Sequence, residues 1–535
     1  MGSRSWIGMT VAALAAALIA LALPGSAAPQ TGNLVVDTTA DGNDGECARD
    51  CTLREAVALA DVSTGRWVQL PPGVYRLSQP LVLGNDIVFG AAFSGDFSSG
   101  ARSTVIDMRG TGRAVEVAPG ATGVLAGVTV SGGRAGVGAG VFVPAGSQLS
   151  LYGTIVKDNA ATTRGGGVAT AGGLAVFRST ITENRAGSGG GIAVDVGGIA
   201  QAYNSTVSGN TASAVGGAIA SSDETTLWNV TVANNRAPTG AGVYWAGTDA
   251  TTTMWNTIVA DNTNGACGGA ITQRTGWQNN IIDDSSCGLA AGEGTVNDPR
   301  LGPLRNNKGP TDTHALGANS PAIDAGGASL CGAPDQRGAP PVGTCDIGAY
   351  EFGGNVPEPE LPPPVPGETV NVSLRAGVVK VKLPGSDEFF QLQDGQQVPV
   401  GTTMDTRKGR VNLVAAGKRQ KAWFYDGLFK FTQSRGKRPL TTLRLTAKLS
   451  CAKGNSAYTA AKRKKRRLWG SGKGRFRTRG SYSAATVRGT RWLTEDRCDG
   501  TLTRVKQGRV AVRDFVRKRT VILRAGQRYL AKRTK

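Results

Sequence analysis

Asp158 and Glu183 stand one repeat apart in a chain whose middle recurs every 25 to 27 residues, with Lys157 and Arg185 beside them. Two carboxylates stacked on adjacent repeats could divide acid and base work on a glycosidic bond or hold a hard cation such as Ca²⁺. The same position runs Asp158, Glu183, Gly209, Asn234, Asp261, so the acidic column lapses where a third acid is needed. Asp and Asn also suit turn positions for conformational reasons alone. A solvated turn column is therefore preferred, and the pair is kept as the weak catalytic candidate. His314 is the only histidine in 535 residues. Multi-His metal sites are excluded, and a Ser-His-Asp arrangement would have to use His314, which is read as structural. No cofactor is expected, with Ca²⁺ admitted only if the chain is enzymatic.

Two other groups of side chains could bind. Tyr152, Tyr203, Trp228, Tyr244, Trp245 and Trp255 fall in the repeats, where exposed rings could stack on sugars and buried ones would be filler. Further on, Lys462, Arg463, Lys464, Lys465, Arg466 and Arg467 form a basic run, followed by Lys473, Arg475, Arg477 and Arg479 around Trp469 and Phe476. Such a run binds polyanions by counterion release, or is a solvated loop.

The elements that must position these residues follow from the repeat. Thr-(Ile/Val) dipeptides begin at Thr129, Thr154, Thr180, Thr206, Thr231 and Thr257, and Asn recurs at 159, 184, 210, 235 and 262. Gly-rich runs at 165–167, 189–191, 216–217 and 240–242 each precede a short apolar stretch. Units of this length, with β-branched segments and no helical period, cannot bury an apolar face alone. Stacked about 4.8 Å apart they bury a continuous core, and Asn in register can bond from coil to coil. The expected fold is all-β: a right-handed parallel β-helix followed by a small basic all-β domain. A β-propeller would need longer repeats.

The GGG(V/I) and T(I/V)xxN repeats resemble the pectin-lyase-like β-helix superfamily, especially secreted bacterial surface proteins. Cys51–Ala56 (CTLREA) resembles the CSLREA motif that opens many of them. Ser320–Gly326, Asp335–Gly338 and Asp346–Glu351 are similar to the closing segment of choice-of-anchor β-helix proteins. The resemblance covers about 33–352 and implies fold more than chemistry, since the superfamily holds lyases, hydrolases, adhesins and passive surface proteins. Both flanks are expected to cap the solenoid, with a helix at LREAVAL and an ion-pair network among Asp335, Arg337, Asp346 and Glu351.

The proline-rich stretch 353–368 reads as an extended spacer. Beyond it, 369–535 carries two GxVxV…LxxGQx(V/Y) segments, from Gly377 and Gly508, that predict two similar hairpins and resemble the FecR-type extracytoplasmic domain. Residues 33–120 are assigned to the first cap and coils, and 121–352 to the repeats and closing segment. Residues 1–28 read as a signal peptide: Arg4, an apolar run from Ile7 to Leu23, then Ser26-Ala27-Ala28. Eight cysteines after such a segment predict disulfides. Proximity pairs Cys47 with Cys51, Cys267 with Cys287, Cys331 with Cys345, and Cys451 with Cys498. From Gly367 to Lys535 there are 41 Lys and Arg against 10 Asp and Glu, a net of +31; the 366 residues before hold 19 against 29, a net of −10. The expectation is an exported cell-surface β-helix protein for adhesion or matrix contact, with a basic module that binds anionic envelope polysaccharide or another polyanion. The alternative is a polysaccharide lyase or hydrolase working on the β-helix face.

Overall fold

The computed structural model describes residues 34–47, 51–60, 67–90, 101–247, 250–270, 273–327, 331–357, 361, 363–384, 389–392, 395–418, 420–449, 451, 465–487 and 490–533. The signal-peptide assignment lies outside the described residues. The chain divides into two compact units, Met1–Pro359 and Glu360–Lys535.

The first unit is a parallel β-helix. Its strands repeat in three long sheets with parallel pairing from coil to coil, and a four-stranded sheet fills one corner. One sheet, called here the threonine sheet, stacks Thr129–Ser131, Ile155–Lys157, Thr180–Thr182, Thr206–Ser208, Thr231–Ala233 and Ile258–Ala260. The middle residues Val130, Val156, Ile181, Val207, Val232 and Val259 point inward and are fully buried. Alternation along each strand makes this possible, because a residue's face is set by parity.

Here the register differs from the sequence pattern. Ile155, not Thr154, pairs with Thr129 and Thr180, and Ile258 pairs with Thr231. Thr154 and Thr257 instead sit in a corner column with Ser179 and Ser205. Thr154 N donates to Ser179 Oγ at 3.0 Å and Ser179 N to Ser205 Oγ at 3.1 Å. A Thr-Ile dipeptide one residue early is identical in sequence but belongs to a different column.

The asparagine ladder forms as expected. The backbone N and Nδ2 of Asn159 both donate to Asn184 Oδ1, and the same pair of bonds continues through Asn210, Asn235 and Asn262 at 2.9–3.1 Å. Positive φ, however, falls one residue earlier, on Asp158, Glu183, Gly209, Asn234 and Asp261 at 56–70°. The left-handed turn thus exposes one residue and turns the next inward to bond. At the opposite corner Gly165 has φ +67°, while a Cβ on Gly166 or Gly167 would lie within about 2.6 Å of a carbonyl oxygen of the next coil. The first glycine supplies the turn and the other two supply close approach.

The N-terminal flank behaves as a cap. Leu53–Leu59 is a helix opened by a capping box of Thr52 and Glu55, and Leu53, Ala56 and Val57 join the solenoid core. The closing segment does not cap the other end. It runs along the outside of the threonine sheet, from Arg102, which binds Asp312 at 2.7 Å, to Asn256, whose Oδ1 accepts from Gly327 N at 2.9 Å. The outward threonines explain this: Thr180 Oγ1 donates to Asp312 O, Thr206 Oγ1 to Gln336 Oε1, and Thr231 Oγ1 accepts from Ala349 N. A hydroxyl column of this kind is a ready partner for a strand-like strap.

The second unit is a largely antiparallel β sheet around its own core, which includes Phe424, Phe429, Phe431, Phe476 and Trp492.

All four disulfides form in the local pairing expected. Cys47 is bonded to Cys51, closing a loop just before the capping helix. Cys267 is bonded to Cys287, and both sulfurs are buried in the core of the last coils. Cys331 is bonded to Cys345 within the closing strap. In the second unit Cys451 is bonded to Cys498, which spans the interval that holds the basic run.

Candidate functional site

The carboxylate pair of the first unit is brought together, but on an open corner. Lys157 Nζ lies 3.0 Å from Asp158 Oδ2 and 3.9 Å from Glu183 Oε2, with the acid side chains 55% and 60% exposed. The lysine offsets one of the two negative charges, both acids stand in solvent, and the positive φ of both residues accounts for their place. Among the described residues no group of three His, Cys, Asp or Glu could hold a metal.

His314 is buried, with Nδ1 2.7 Å from Gly302 O and Nε2 2.8 Å from Ser208 Oγ. A carbonyl acceptor makes Nδ1 the protonated nitrogen, so Nε2 accepts from the serine. A carbonyl stands where a catalytic carboxylate would be needed, and both side chains are covered by the strap. Burial pulls the imidazole below its ordinary pKa. The ion-pair network expected among Asp335, Arg337, Asp346 and Glu351 is confined, among the described residues, to Arg337 and Asp335, whereas Asp346 and Glu351 accept from backbone N–H groups. Arg337 pairs with Asp335 at 2.7 Å and covers the Tyr350 ring at 3.6 Å, while Glu351 accepts from Val342 N and Asp346 N. Burial pushes Asp346 up to about 6.

The repeat aromatics divide. Tyr152, Tyr203, Trp228 and Trp255 align in one outward column with Phe177, whose membership the sequence pattern did not suggest. Neighbouring centroids are 4.9–6.1 Å apart, and the Phe177 and Tyr203 planes differ by only 10°. Their faces are spent largely on one another, which suits mutual packing better than sugar stacking. Burial, with the Glu224 charge, pushes the Tyr203 hydroxyl up to about 12. Trp245 points inward against Trp277.

The basic run is only partly visible: Lys462, Arg463 and Lys464 lie outside the described residues. Lys465 is 3.6 Å from Glu495, Arg467 is 2.5 Å from Asp426, and Arg466 grips the fully buried Asp496 with Nε and Nη2 at 2.9 and 2.8 Å. These three charges are engaged within the unit. Phe476 faces the core, whereas Trp469 faces out.

Around Trp469 lies a cationic face that the linear sequence does not show. Strands Thr403–Ala415, Lys421–Tyr425, Arg466–Lys473, Thr490–Arg497 and Gly500–Gln507 are adjacent, so Asn412, Trp423, Ser471, Arg491 and Gln507 form one row across them. The next row carries Arg410, Tyr425 and Trp469. The three rings stack, with Trp423–Tyr425 centroids 5.3 Å and Tyr425–Trp469 centroids 6.1 Å apart. Cations cover them: Arg375 is 5.0 Å from Trp423, Arg410 is 5.1 Å from Tyr425, Arg491 is 5.7 Å from Trp423 and Lys506 is 5.5 Å from Trp469. None of these four cations forms an ion pair among the described residues. Alternation in KAWFY does place Lys421, Trp423 and Tyr425 on one side, but the cross-strand register that adds Arg410 and Arg491 is a long-range property.

No family model, curated protein or solved structure matches the chain.

Proposed function

We propose that the chain is an exported, non-enzymatic cell-surface protein whose β-helix serves as a long scaffold for adhesive or matrix contacts and whose basic C-terminal unit holds it to an anionic envelope polysaccharide. The observation that carries the reading is the charge partition, +31 from Gly367 onward against −10 before it. Polyanion affinity scales with the number of cations that displace counterions, and here they are gathered in one unit. The leader-like first 28 residues and the four disulfides agree with export. The resemblance to CSLREA-type and choice-of-anchor-like secreted β-helix proteins, and to FecR-type extracytoplasmic domains, supports a place outside the membrane.

The lyase or hydrolase reading has less support, because Asp158 and Glu183 sit exposed to solvent with only Lys157 beside them and no third acid in the column. The test is Asp158→Ala combined with Glu183→Ala, assayed on uronate and neutral polysaccharides by release of unsaturated products and reducing ends. Parent and double variant are expected to give equal, background signals and equal binding. Turnover in the parent that disappears in the variant would replace this reading with an enzymatic one.

A further inference from the structure

We infer that the Trp423–Tyr425–Trp469 face of the second unit is a binding site for a carboxylated polysaccharide, contacted by Arg375, Arg410 and Arg491. This deepens the proposed function and rests on its polyanion reading; it replaces diffuse attraction by the basic run with a built site. A guanidinium laid on an aromatic ring keeps its N–H edges free while its plane is fixed, so less rotamer entropy is lost when a carboxylate docks. Arg410 lies against both Trp423 and Tyr425, at 5.9 and 5.1 Å, and Arg491 against both Trp423 and Trp469, at 5.7 and 5.9 Å. Arg491 Nη2 also donates to the Tyr425 hydroxyl at 3.0 Å.

Single-stranded nucleic acid binds by stacking bases on free aromatic faces, and these faces already carry guanidiniums and each other. Between the cations the rows offer Ser471 and Gln507, neutral groups suited to sugar hydroxyls, while Asn412 Oδ1 accepts from Arg375 Nη1 at 3.3 Å and helps to hold that guanidinium in place. Forked cations beside neutral hydrogen-bonding groups match a chain of carboxylated pyranoses better than a chain of phosphates alone.

The experiment uses the full chain and the double substitution Arg375→Lys plus Arg410→Lys, with Trp423→Ala as a second variant and circular dichroism to check folding. Sodium polygalacturonate, inorganic polyphosphate and oligothymidylate are the probes, at about 100 mM salt where long-range charge effects are screened beyond about 10 Å. The double lysine variant keeps every charge but loses the fixed fork. Its affinity for polygalacturonate should fall about tenfold, and that of Trp423→Ala at least as much. Parent-like polygalacturonate binding by both variants would overturn the site while leaving a diffuse polyanion module in place. Oligothymidylate bound more tightly than polygalacturonate, and lost with Trp423→Ala, would overturn the ligand class. A parent chain that binds none of the three probes would sink the polyanion reading itself and this site with it.

Discussion

At the residue scale, the left-handed turn and the ladder asparagine beside it make opposite demands. Asn210 is fully buried; its Nδ2 donates to Ile181 O and Asn235 Oδ1, and its Oδ1 accepts from Asn184 N and Nδ2. Asn210→Ala strands the Asn184 donors and the Ile181 acceptor, each buried, and should cost about 3 kcal/mol of stability. Glu183 stands at φ 58°, strained for a residue with a Cβ, so Glu183→Gly should stabilise by up to about 1 kcal/mol. Chemical denaturation of the two variants checks both signs, and a destabilised Glu183→Gly would mean that the glutamate does more than occupy a corner. The Asn column was legible in the sequence because a buried ladder tolerates almost no other residue. The strained corner was less so, since Asp, Glu, Gly and Asn all occupy it. The Thr154 and Thr257 offsets were hidden because Thr serves both the sheet and the hydroxyl corner. The disulfide partners were legible because each of Cys51, Cys287, Cys345 and Cys498 has its mate as the nearest cysteine before it in the chain.

At the element scale, the closing strap is a polar layer laid over a hydroxyl column, and it carries titrating groups of opposite effect: His314 on one side, Asp346 and Glu351, both raised by burial, on the other. His314 has a lowered folded-state pKa, so its contribution is complete above about 6.5, the unfolded value, and is lost as pH falls below it. Asp346 is raised to about 6, so its contribution is complete below its unfolded value of 3.8 and lost as pH rises through 6. His314→Gln should therefore remove the acid-side loss, leaving a variant that becomes relatively less stable as pH rises from about 4 to 7. Asp346→Asn combined with Glu351→Gln should do the reverse, with stability falling as pH drops below about 6.5. Melting temperatures across this range check the crossing. Parallel profiles for the two variants would show that neither group titrates within the strap. The motifs of this segment were legible, but their place was not. A capping role follows from sequence position, whereas the lateral position depends on Thr180, Thr206 and Thr231 all facing outward, which only the strand register determines.

At the scale of the whole molecule, the chain joins a mildly acidic solenoid to a strongly basic sheet unit. The β-helix could be read from its period because each repeat restates the same face pattern. The basic unit could be read only as composition: its most suggestive face draws on Arg375, Arg410, Trp423, Trp469 and Arg491, spread over about a hundred residues and joined by antiparallel pairing. The basic run that dominates the sequence is engaged internally wherever it is described, and the cations free of ion pairs lie elsewhere. The proposed function requires this unit to attach the protein to an anionic polysaccharide through its charge. The most direct measurement is the affinity of the full chain for sodium polygalacturonate as salt is raised from about 50 to 500 mM, beside a chain ending at Phe352. Log affinity should fall linearly with log salt, by at least about a hundredfold over that range for several charge contacts, and the shortened chain should show no measurable binding. Affinity indifferent to salt, or undiminished in the chain ending at Phe352, would contradict it.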